Sequence, residues 1–440
     1  MSGERALEEL AGRAFGQYSA AVRPRCEGMA MMWVETLAYV RVGVGVMSAK
    51  SPGLLEGLCK MTSRTMIGCG FIGRSAVCAA LVALIVLAAL SGAGTECATS
   101  ALKGASIASG SQSVKVGDKA FQVNYVRVDL GDPKVRLRVV LGQDRVGGTE
   151  DLVSMAARAG AQAAINGTFF NAYVDGPYKD PVGTLIRAGE FVHRGATGTV
   201  FAVADGNEVR MEPARFKIVG ATNGLWTWPG NWYSYWINRT PTSQNYAGIF
   251  TPARGRRTGA ADGVSVVVRD GAVTAIGRGE REIPEDGYVI NLQGSEEGLA
   301  TRFAVGAAVE YKVVMSDGSD RTGFWGRVRE GLGAGPKLVS GGKVSYSAES
   351  AKAEGFTEAK ILSMSSARSG LALTKDGDLL AVTCAAATMA QFAQVMQVLG
   401  AREAMNLDGG ASSGLVYEGK YLTKPGRALS NALVVLVDGQ

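Results

Sequence analysis

Short apolar segments recur from residue 115 to the end of the chain, separated by turn-forming residues. Alternation of apolar and polar residues with a period of two is typical of a half-buried strand, and a short continuous apolar run between turn signals is typical of a buried one. The pattern therefore predicts strands at several places, the clearest being residues 121–128, 135–140, 264–268, 304–314 and 433–437.

Two other segments have the apolar spacing of an amphipathic helix, residues 150–159 and 388–399, the second with Thr388 as its N-cap. Each is followed by a glycine and a short apolar stretch that ends on an asparagine, at residues 160–166 and 400–406. We therefore expect two similar helix–glycine–strand units whose asparagines lie at equivalent strand ends.

The balance of elements predicts the fold class. Many strands and few helices indicate an α+β fold rather than a doubly wound α/β sheet. We expect a single large strand-rich domain over residues 115–440, in which a few helices pack on a mixed sheet.

An uncharged apolar run of 15 residues, 76–90, precedes this domain. Its length suits a signal peptide and falls short of the roughly 20 residues of a spanning helix. We interpret residues 66–94 as a signal peptide cleaved near Gly94, with a retained membrane anchor through residues 72–94 as the alternative. Residues 1–65 are then an N-terminal extension, of which a translation start near Met61 would remove residues 1–60. Residues 95–114 are interpreted as a linker, and we expect an extracytoplasmic protein of the periplasm, the cell envelope or the medium.

Composition limits the ligands and the kinds of catalytic or metal site that the chain can have. The net charge of +6 is spread along the chain without a basic stripe, which argues against nucleic-acid binding. His193 is the only histidine, which argues against zinc sites of several histidines and against histidine-dependent hydrolases. Cys384 lies in an apolar run and is expected in the core. We expect no tightly bound transition metal and no other cofactor, although a weakly held Ca²⁺ or Mg²⁺ near carboxylates is compatible with the sequence.

The second helix–glycine–strand unit runs into a glycine-rich segment, residues 406–413. Asp408 is followed there by two glycines, whose backbone N–H groups can approach an anion closely while the carboxylate stays nearby. An ordinary hairpin turn is the alternative. Residues 410–414 also match the G-x-S-x-G pattern of a nucleophile elbow, but a strand pattern follows and the sole histidine precedes it, so we reject that interpretation.

Six motifs, in order, resemble the bacterial phosphodiester glycosidase family; they lie at residues 166–170, 181–184, 335–338, 367–370, 406–413 and 427–432. The resemblance extends over roughly residues 120–438. It implies an exported α+β domain that cleaves the bond between the anomeric carbon of a sugar and a phosphodiester. Three departures from the family pattern occur: Ala411 replaces a third glycine, residues 367–369 read Ala-Arg-Ser instead of Pro-Arg-Thr, and residues 383–388 lack a usual Asp-Gly-Arg.

The resemblance also implies the site. The catalytic candidates are Asp408, Arg368 and Asn166, and the substrate-binding candidates are Arg427, Asn431, Gly409, Gly410, Ser412, Ser413, Thr184 and Asn406. We expect Asn166, Arg368, Asp408 and Asn431 to converge on one cleft that binds a sugar phosphodiester.

Leaving-group chemistry sets what these residues must do. Cleavage releases a phosphate monoester whose second pKa is about 6, so it departs with little protonation. The main task is then to stabilise negative charge, which suits arginines and backbone N–H groups. We assign Arg368, placed between extended-looking residues 361–364 and 371–373, to bidentate phosphate binding together with Arg427. Asp408 would act as base, nucleophile or oxocarbenium stabiliser, and the candidates for a second carboxylate are Asp175, Asp180 and Glu418.

A segment outside these motifs supports a competing function. Four of the six tryptophans lie within residues 226–236. They indicate either core packing or a flat platform for sugar rings or a partner. The alternative to an enzyme is therefore an envelope protein that binds glycan without turnover, or one associated with exopolysaccharide. The sequence leaves the oligomeric state open.

Overall fold

Strands dominate the described part of the chain. The computed structural model describes residues 106–195 and 198–438. The N-terminal extension, the signal-peptide segment and most of the expected linker lie outside these residues. The described residues belong to one compact unit. Within the described ranges, no helix is both long and apolar enough to cross a bilayer.

The elements are numbered in chain order. The strands are β1 (Ile107–Val116), β2 (Lys119–Asp129), β3 (Val135–Leu141), β4 (Ala163–Asn166), β5 (Leu185–Arg187), β6 (Glu190–His193), β7 (Thr199–Ala204), β8 (Glu208–Pro213), β9 (Phe216–Thr222), β10 (Asn231–Ser234), β11 (Trp236–Ile237), β12 (Tyr246–Phe250), β13 (Val264–Arg269), β14 (Ala272–Arg278), β15 (Gly287–Gln293), β16 (Val309–Met315), β17 (Val328–Ala334), β18 (Lys337–Ser340), β19 (Lys343–Val344), β20 (Ser366–Thr374), β21 (Asp378–Ala387), β22 (Ala401–Asn406), β23 (Leu415–Tyr417), β24 (Lys420–Thr423) and β25 (Asn431–Val437). The α-helices are α1 (Leu152–Ala159), α2 (Gly323–Gly326), α3 (Ala348–Ala353), α4 (Ala359–Leu362) and α5 (Met389–Val398). Short 3-10 helices occupy Gly142–Asp144, Asp205–Asn207, Pro252–Arg254, Gly294–Arg302 and Gly410–Ser412.

The predicted fold class is confirmed: the chain is an α+β protein in which a few helices accompany several sheets. A mixed sheet was expected, but the sheets are almost entirely antiparallel. Among strands of the described residues, β11 and β12 form the one parallel pair. Predicted strands coincide with β2, β3, β13 and β25, and predicted helices with α1 and α5. The strand predicted from residue 304 begins only at β16, because the chain turns before it at Gly306, whose φ is +85°.

The expected linker over residues 95–114 is wrong at its C-terminal end, because β1 begins at residue 107 and pairs with β2 along its whole length. β1 lies at the edge of its sheet and is largely polar and serine-rich. An edge strand needs few apolar residues, so its composition looks like that of a linker.

Two sheets position the site. One has seven strands in the order β1-β2-β21-β20-β22-β18-β19, and the other has five in the order β24-β23-β4-β25-β3. Neighbouring residues of their strands alternate between two cores, as the pleat requires. Leu371 of β20 and Leu433 of β25 share the core between the sheets. Ala372 packs on the α5 side and Val434 on the α1 side. Each sheet therefore has a helix on its outer face, and the two sheets face each other.

The two helix–glycine–strand units hold equivalent places in this arrangement. In the first, Gly160 caps α1 in the left-handed conformation, and β4 ends at Asn166. In the second, Gly400 with a φ of +87° follows α5, and β22 ends at Asn406. The Thr388 hydroxyl accepts from the Gln391 N–H and so caps α5, as predicted. Each unit contributes a central strand to one of the two sheets and the helix that packs on the outer face of that sheet.

The other three sheets surround a second apolar core. Their orders are β6-β5-β17-β7-β8, β10-β9-β16 and β11-β12-β15-β13-β14. Of the tryptophan-rich segment, Trp232 is buried in this core, edge-to-face with Phe303. Trp226 and Trp228 are exposed, the latter by 76%. Core packing therefore accounts for only part of the segment.

Candidate active site

Strand register brings Asp408 and Arg368 together. Strands β20 and β22 are antiparallel neighbours, with Gly370 opposite Asn406. Two residues beyond that pair, the same register places Asp408 opposite Arg368. Opposite residues of an antiparallel pair project to the same side. The pairing of β20 with β22 therefore accounts for the predicted proximity of these two side chains.

Both side chains line a cavity of about 250 Å³. Its wall combines three cations, three aromatic rings, one carboxylate and a glycine-rich turn. The lining residues are Lys360, Arg368 and Arg427; Phe169, Phe170 and Tyr173; Asp408; Gly409, Gly410, Ala411 and Ser412; and Ile361 and Ser366. Such a wall suits a ligand with one anionic part and one part that can lie against aromatic rings.

The Asp408 carboxyl is held by its own turn. The Gly409 N–H donates to Asp408 Oδ1 over 2.9 Å, and the Ser412 side chain forms a further hydrogen bond. Burial raises the pKa of Asp408 from 3.8 to about 6, although these hydrogen bonds and the charges of Arg427 and Lys360 act in the opposite direction. Asp408 consequently titrates close to neutrality and is mostly ionised above pH 6.

The Arg368 guanidinium is fixed by backbone carbonyls. The residue is 2% exposed, its Nε donates to the Ala387 carbonyl over 2.9 Å, and its Nη2 donates to the carbonyls of Lys360 and Met364. Three of its five N–H groups are thereby used, so the two on Nη1 are the ones left for a ligand. The predicted bidentate contact with phosphate requires N–H groups on two nitrogens of the guanidinium. It is therefore wrong in that respect, because Nε and Nη2 are already bonded to backbone. The cause lies in residues 361–364, which were expected to be extended but turn around the guanidinium from helix α4.

Asn166 has a different place from the one expected. It is fully buried and outside the cavity wall; its Nδ2 donates to the Asp408 carbonyl over 2.7 Å, and its Oδ1 accepts from the Gly414 N–H over 3.0 Å. The amide thus ties both ends of the glycine-rich turn to the end of β4. Asn166 is a positioning residue rather than one that faces the ligand.

Replacing Asn166 with alanine is expected to lower the free energy of unfolding by about 2–3 kcal/mol, because the change leaves two buried backbone groups without partners. Urea denaturation of the wild type and the variant measures this difference. Unchanged stability together with loss of activity would contradict a positioning role and indicate direct contact with substrate.

The substrate-binding candidates divide in the same way. Arg427, Gly409, Gly410 and Ser412 line the cavity, whereas four others are buried behind it: Asn431, Asn406, Thr184 and Ser413. The side chains of the first three bond to neighbouring backbone. Asn431 Oδ1 accepts from the Thr168 N–H, Asn406 Nδ2 donates to the Gly335 carbonyl, and Thr184 Oγ1 accepts from the Gly195 N–H. Four residues were expected to converge on one cleft. Arg368 and Asp408 line the cavity, whereas the side chains of Asn166 and Asn431 bond to backbone behind it.

None of the proposed second carboxylates lies in the cavity wall. Asp180 is buried in an ion pair with Arg254, and its Oδ2 accepts from the Thr240 N–H over 2.7 Å. Asp175 and Glu418 are exposed and outside the wall, Asp175 on the same loop as the lining residue Tyr173. Among the described residues, Asp408 is thus the one carboxylate of this cavity.

Lys360 and the aromatic wall were not identified from the sequence. Lys360 belongs to the short helix α4, where an exposed lysine carries no signal of a role. Phe169 and Phe170 were within a motif, but nothing in their spacing indicated that they would face a ligand. These residues reach the cavity only because distant segments pack together.

Neither of the remaining titratable candidates lines the cavity, although Cys384 lies opposite Arg368 in the register of β20 and β21. Cys384 is buried in the core, as predicted. His193 is fully buried, and burial lowers its pKa to about 4, so it is neutral at pH 7. Within residues 106–195 and 198–438, no group of three or more His, Cys, Asp or Glu side chains is placed to hold a metal ion.

Comparison with known proteins agrees with the motifs. The family model for phosphodiester glycosidases matches residues 262–436. No curated protein matches the chain. Among solved structures, a hypothetical protein from Synechocystis is 25% identical with a TM-score of 0.66, covering 76% of this chain and 62% of its own length. A Burkholderia pseudomallei protein inferred to be exported is 21% identical with a TM-score of 0.59, covering 72% of this chain and 74% of its own, which supports the fold alone.

A third solved structure is the catalytic domain of zebrafish N-acetylglucosamine-1-phosphodiester alpha-N-acetylglucosaminidase, auto-inhibited by its pro-peptide. It is 14% identical over 76% of this chain and 84% of its own, and its TM-score of 0.37 is too low to support an argument. The matched segment 262–436 contains Arg368, Asp408 and Arg427, three of the charged residues of the cavity. The resemblance to the phosphodiester glycosidase family is therefore confirmed over residues 262–436.

Proposed function

We propose that the protein is a phosphodiester glycosidase that hydrolyses the bond between the anomeric carbon of a sugar and a phosphodiester. One observation carries the proposal: a cavity with a single carboxylate, Asp408, also contains the cations Lys360, Arg368 and Arg427. Ordinary glycosidases flank the scissile bond with two carboxylates, because an alkoxide leaves poorly without a general acid. One carboxylate among three cations suits a leaving group that is already an anion.

The cations act on the leaving group. Cleavage of the sugar–oxygen bond leaves a second negative charge on the departing phosphate monoester, and fixed positive charge in a cavity lowers the energy of the transition state that leads to it. The two free N–H groups on Arg368 Nη1 would bind one phosphate oxygen, and Lys360 and Arg427 would bind the others. The Gly409 and Gly410 backbone provides a close approach without side-chain bulk.

Asp408 acts on the sugar. Its ionised carboxylate would attack the anomeric carbon or activate a water molecule, and in both cases it stabilises the positive charge that develops on the ring. Retention of anomeric configuration in the product would identify the nucleophile, and inversion would identify the base. Phe169 and Phe170 offer flat apolar surface to the sugar ring.

The pH profile follows from the raised pKa of Asp408. Because the reaction needs the ionised form, kcat/KM is expected to be level above about pH 7, half-maximal near pH 6, and to fall by about tenfold per pH unit well below it. Initial rates between pH 4 and pH 8, with the protein's stability checked at each pH, measure the acid limb. A rate that instead falls as pH rises through 6 would mean that protonated Asp408 is the active form and would contradict this mechanism.

A substrate screen tests the proposal itself. Purified protein is incubated with UDP-sugars and sugar-1-phosphodiesters, and release of free sugar is measured, with the Asp408→Asn variant as the blank. Turnover that the variant lacks supports the proposal, and no turnover of any member of the panel opposes it.

The proposed reaction uses no bound metal or other cofactor. His193 and Cys384, the one histidine and the one cysteine of the described residues, are both buried and provide no transition-metal ligand set. Repeating the screen with EDTA tests this, because a metal-dependent enzyme would lose activity. We also propose that the protein is exported, on the strength of the apolar run at residues 76–90.

A second candidate function rests on the exposed aromatic residues of the tryptophan-rich segment. Trp226 and Trp228 are joined on the surface by Tyr233 and Tyr235, whose hydroxyls donate to the Glu296 carboxylate over 2.6 and 3.2 Å. Exposed rings beside fixed polar groups suit a sugar chain. Saturable glycan binding without release of sugar in the screen would favour this non-catalytic function.

A further inference from the structure

Tyr173 has an unusual environment at the mouth of the cavity. It is 86% exposed, so burial contributes almost nothing to holding it in place. Its contacts are with Arg427: the Arg427 Nη2 donates to the tyrosine hydroxyl, and the guanidinium carbon lies 4.7 Å from the ring centroid. A hydrogen bond and a cation–π contact therefore connect the two side chains.

The loop that carries Tyr173 is closed at its base. The Asn171 N–H donates to the Asp180 carbonyl over 2.9 Å, and Phe170 and Pro181 form an isolated antiparallel bridge. The Asp180 carboxylate is in turn bound by the fully buried Arg254. Although Tyr173 itself is exposed, the ends of its loop are thus fixed to the protein interior.

The Arg427 side chain needs a contact that holds it in one rotamer. The residue lies on the turn before β25 and is only partly buried. An arginine side chain has many rotamers and loses much of its entropy when one is selected. Among the described residues, Tyr173 is the side chain to which Arg427 is hydrogen-bonded.

We propose that Tyr173 is a positioning residue, which holds the Arg427 guanidinium over the cavity so that it contacts the substrate phosphate beside Asp408. This inference rests on the proposed function, because the role it gives to Tyr173 is part of phosphodiester cleavage. Tyr173 lies outside the six motifs. Tyr173 acts through Arg427 and not on the reacting atoms.

The arrangement also links Tyr173 to the charge of Asp408. The groups that face the Asp408 carboxyl are the Gly409 N–H, the Ser412 hydroxyl, and the cations Arg427 and Lys360, all of which lower its pKa against the effect of burial. Arg368 lines the same cavity. If Arg427 is released from Tyr173, its charge spends less time near the carboxyl, and the pKa of Asp408 moves further up.

Three variants test the proposal: Tyr173→Ala, Tyr173→Phe and Val174→Ala. Val174 is exposed on the same loop and lies outside the cavity wall, so it is the matched control. Tyr173→Ala is expected to raise KM by about five- to tenfold and to move the acid limb of the kcat/KM profile to higher pH. Tyr173→Phe keeps the ring contact and should retain most of the wild-type KM, and Val174→Ala should match the wild type. An alanine variant with unchanged KM and an unchanged acid limb would overturn the proposal.

A double-mutant cycle separates positioning from direct substrate contact. In the Arg427→Ala background, Tyr173→Ala should add no further change to KM, because its partner is already absent. Additive effects would mean that Tyr173 contacts the substrate itself and would overturn the positioning role. The same cycle, run on the binding of glucose 1-phosphate by calorimetry, needs no turnover. Coupled losses of binding there would support the Tyr173–Arg427 link even if the substrate screen finds no activity, and additive losses would reject it.

Discussion

Replacing Asp408 with asparagine is expected to lower kcat by about 10²- to 10⁴-fold, because the amide can neither attack the anomeric carbon nor accept a proton from water. The variant should fold normally. With a pKa raised from 3.8 to about 6 in the folded chain, ionisation of Asp408 lowers the stability as pH rises from about 4 through 6, and the loss is nearly complete at pH 7. The uncharged asparagine is therefore expected to be at least as stable as the wild type at pH 7. Single-turnover rates and thermal melts measure the two effects separately.

A matched control for this change is Asp376→Asn, which removes a carboxylate from the exposed turn between β20 and β21, at the opposite end of β20 from Arg368. It should leave kcat unchanged. Full activity of Asp408→Asn would reject the proposed role of the carboxylate, whatever the control shows.

Replacing Arg368 with lysine is expected to affect both activity and stability. A lysine has one nitrogen, which cannot reach the Ala387 and Lys360 carbonyls on different sides of the guanidinium while also facing the cavity. We expect a loss of about 3 kcal/mol in the free energy of unfolding, from carbonyls left without donors. We also expect kcat/KM to fall by about 100-fold, from loss of fixed positive charge at the phosphate.

Denaturation at 25 °C gives the stability difference, and rates measured where the variant is fully folded give the effect on activity. Arg402→Lys, an exposed position on the neighbouring strand β22, is the matched control and should change neither quantity. An Arg368→Lys protein that loses stability but keeps full kcat/KM would show that the arginine only supports the backbone.

Local patterns were sufficient for much of the fold. Strands β2, β3 and β25 and helices α1 and α5 each carry their own apolar period, and the two helix–glycine–strand units could be recognised as similar. β1 could not be identified, because an edge strand has little need of apolar residues. Helix α4 was interpreted as extended, since a single turn is too short to display a helical period.

The site was only partly accessible from the sequence. The glycine-rich turn indicated either a ligand site at Asp408 or an ordinary hairpin turn, and in the structure Asp408 and Arg368 line one cavity. The roles of Asn166 and Asn431 could not be separated from those of ligand contacts, because a motif does not show whether an amide points to a cavity or to backbone. Lys360 and Tyr173 lie on segments whose position depends on packing between residues far apart in the chain, which no local pattern records.

The place of β25 in its sheet has a consequence for how an active molecule arises. β25 lies between β4 and β3, so residues 431–437 fill the middle of a sheet whose other strands come earlier in the chain. The bond from Asn166 to the Asp408 carbonyl likewise joins residues 242 positions apart. Pairings across such separations form late and slowly. A growing chain therefore has an open sheet and no finished cavity until residues 431–437 have been synthesised, and a chain cut short before residue 431 would leave β3 without its strand partner and β4 with one unpaired, aggregation-prone edge.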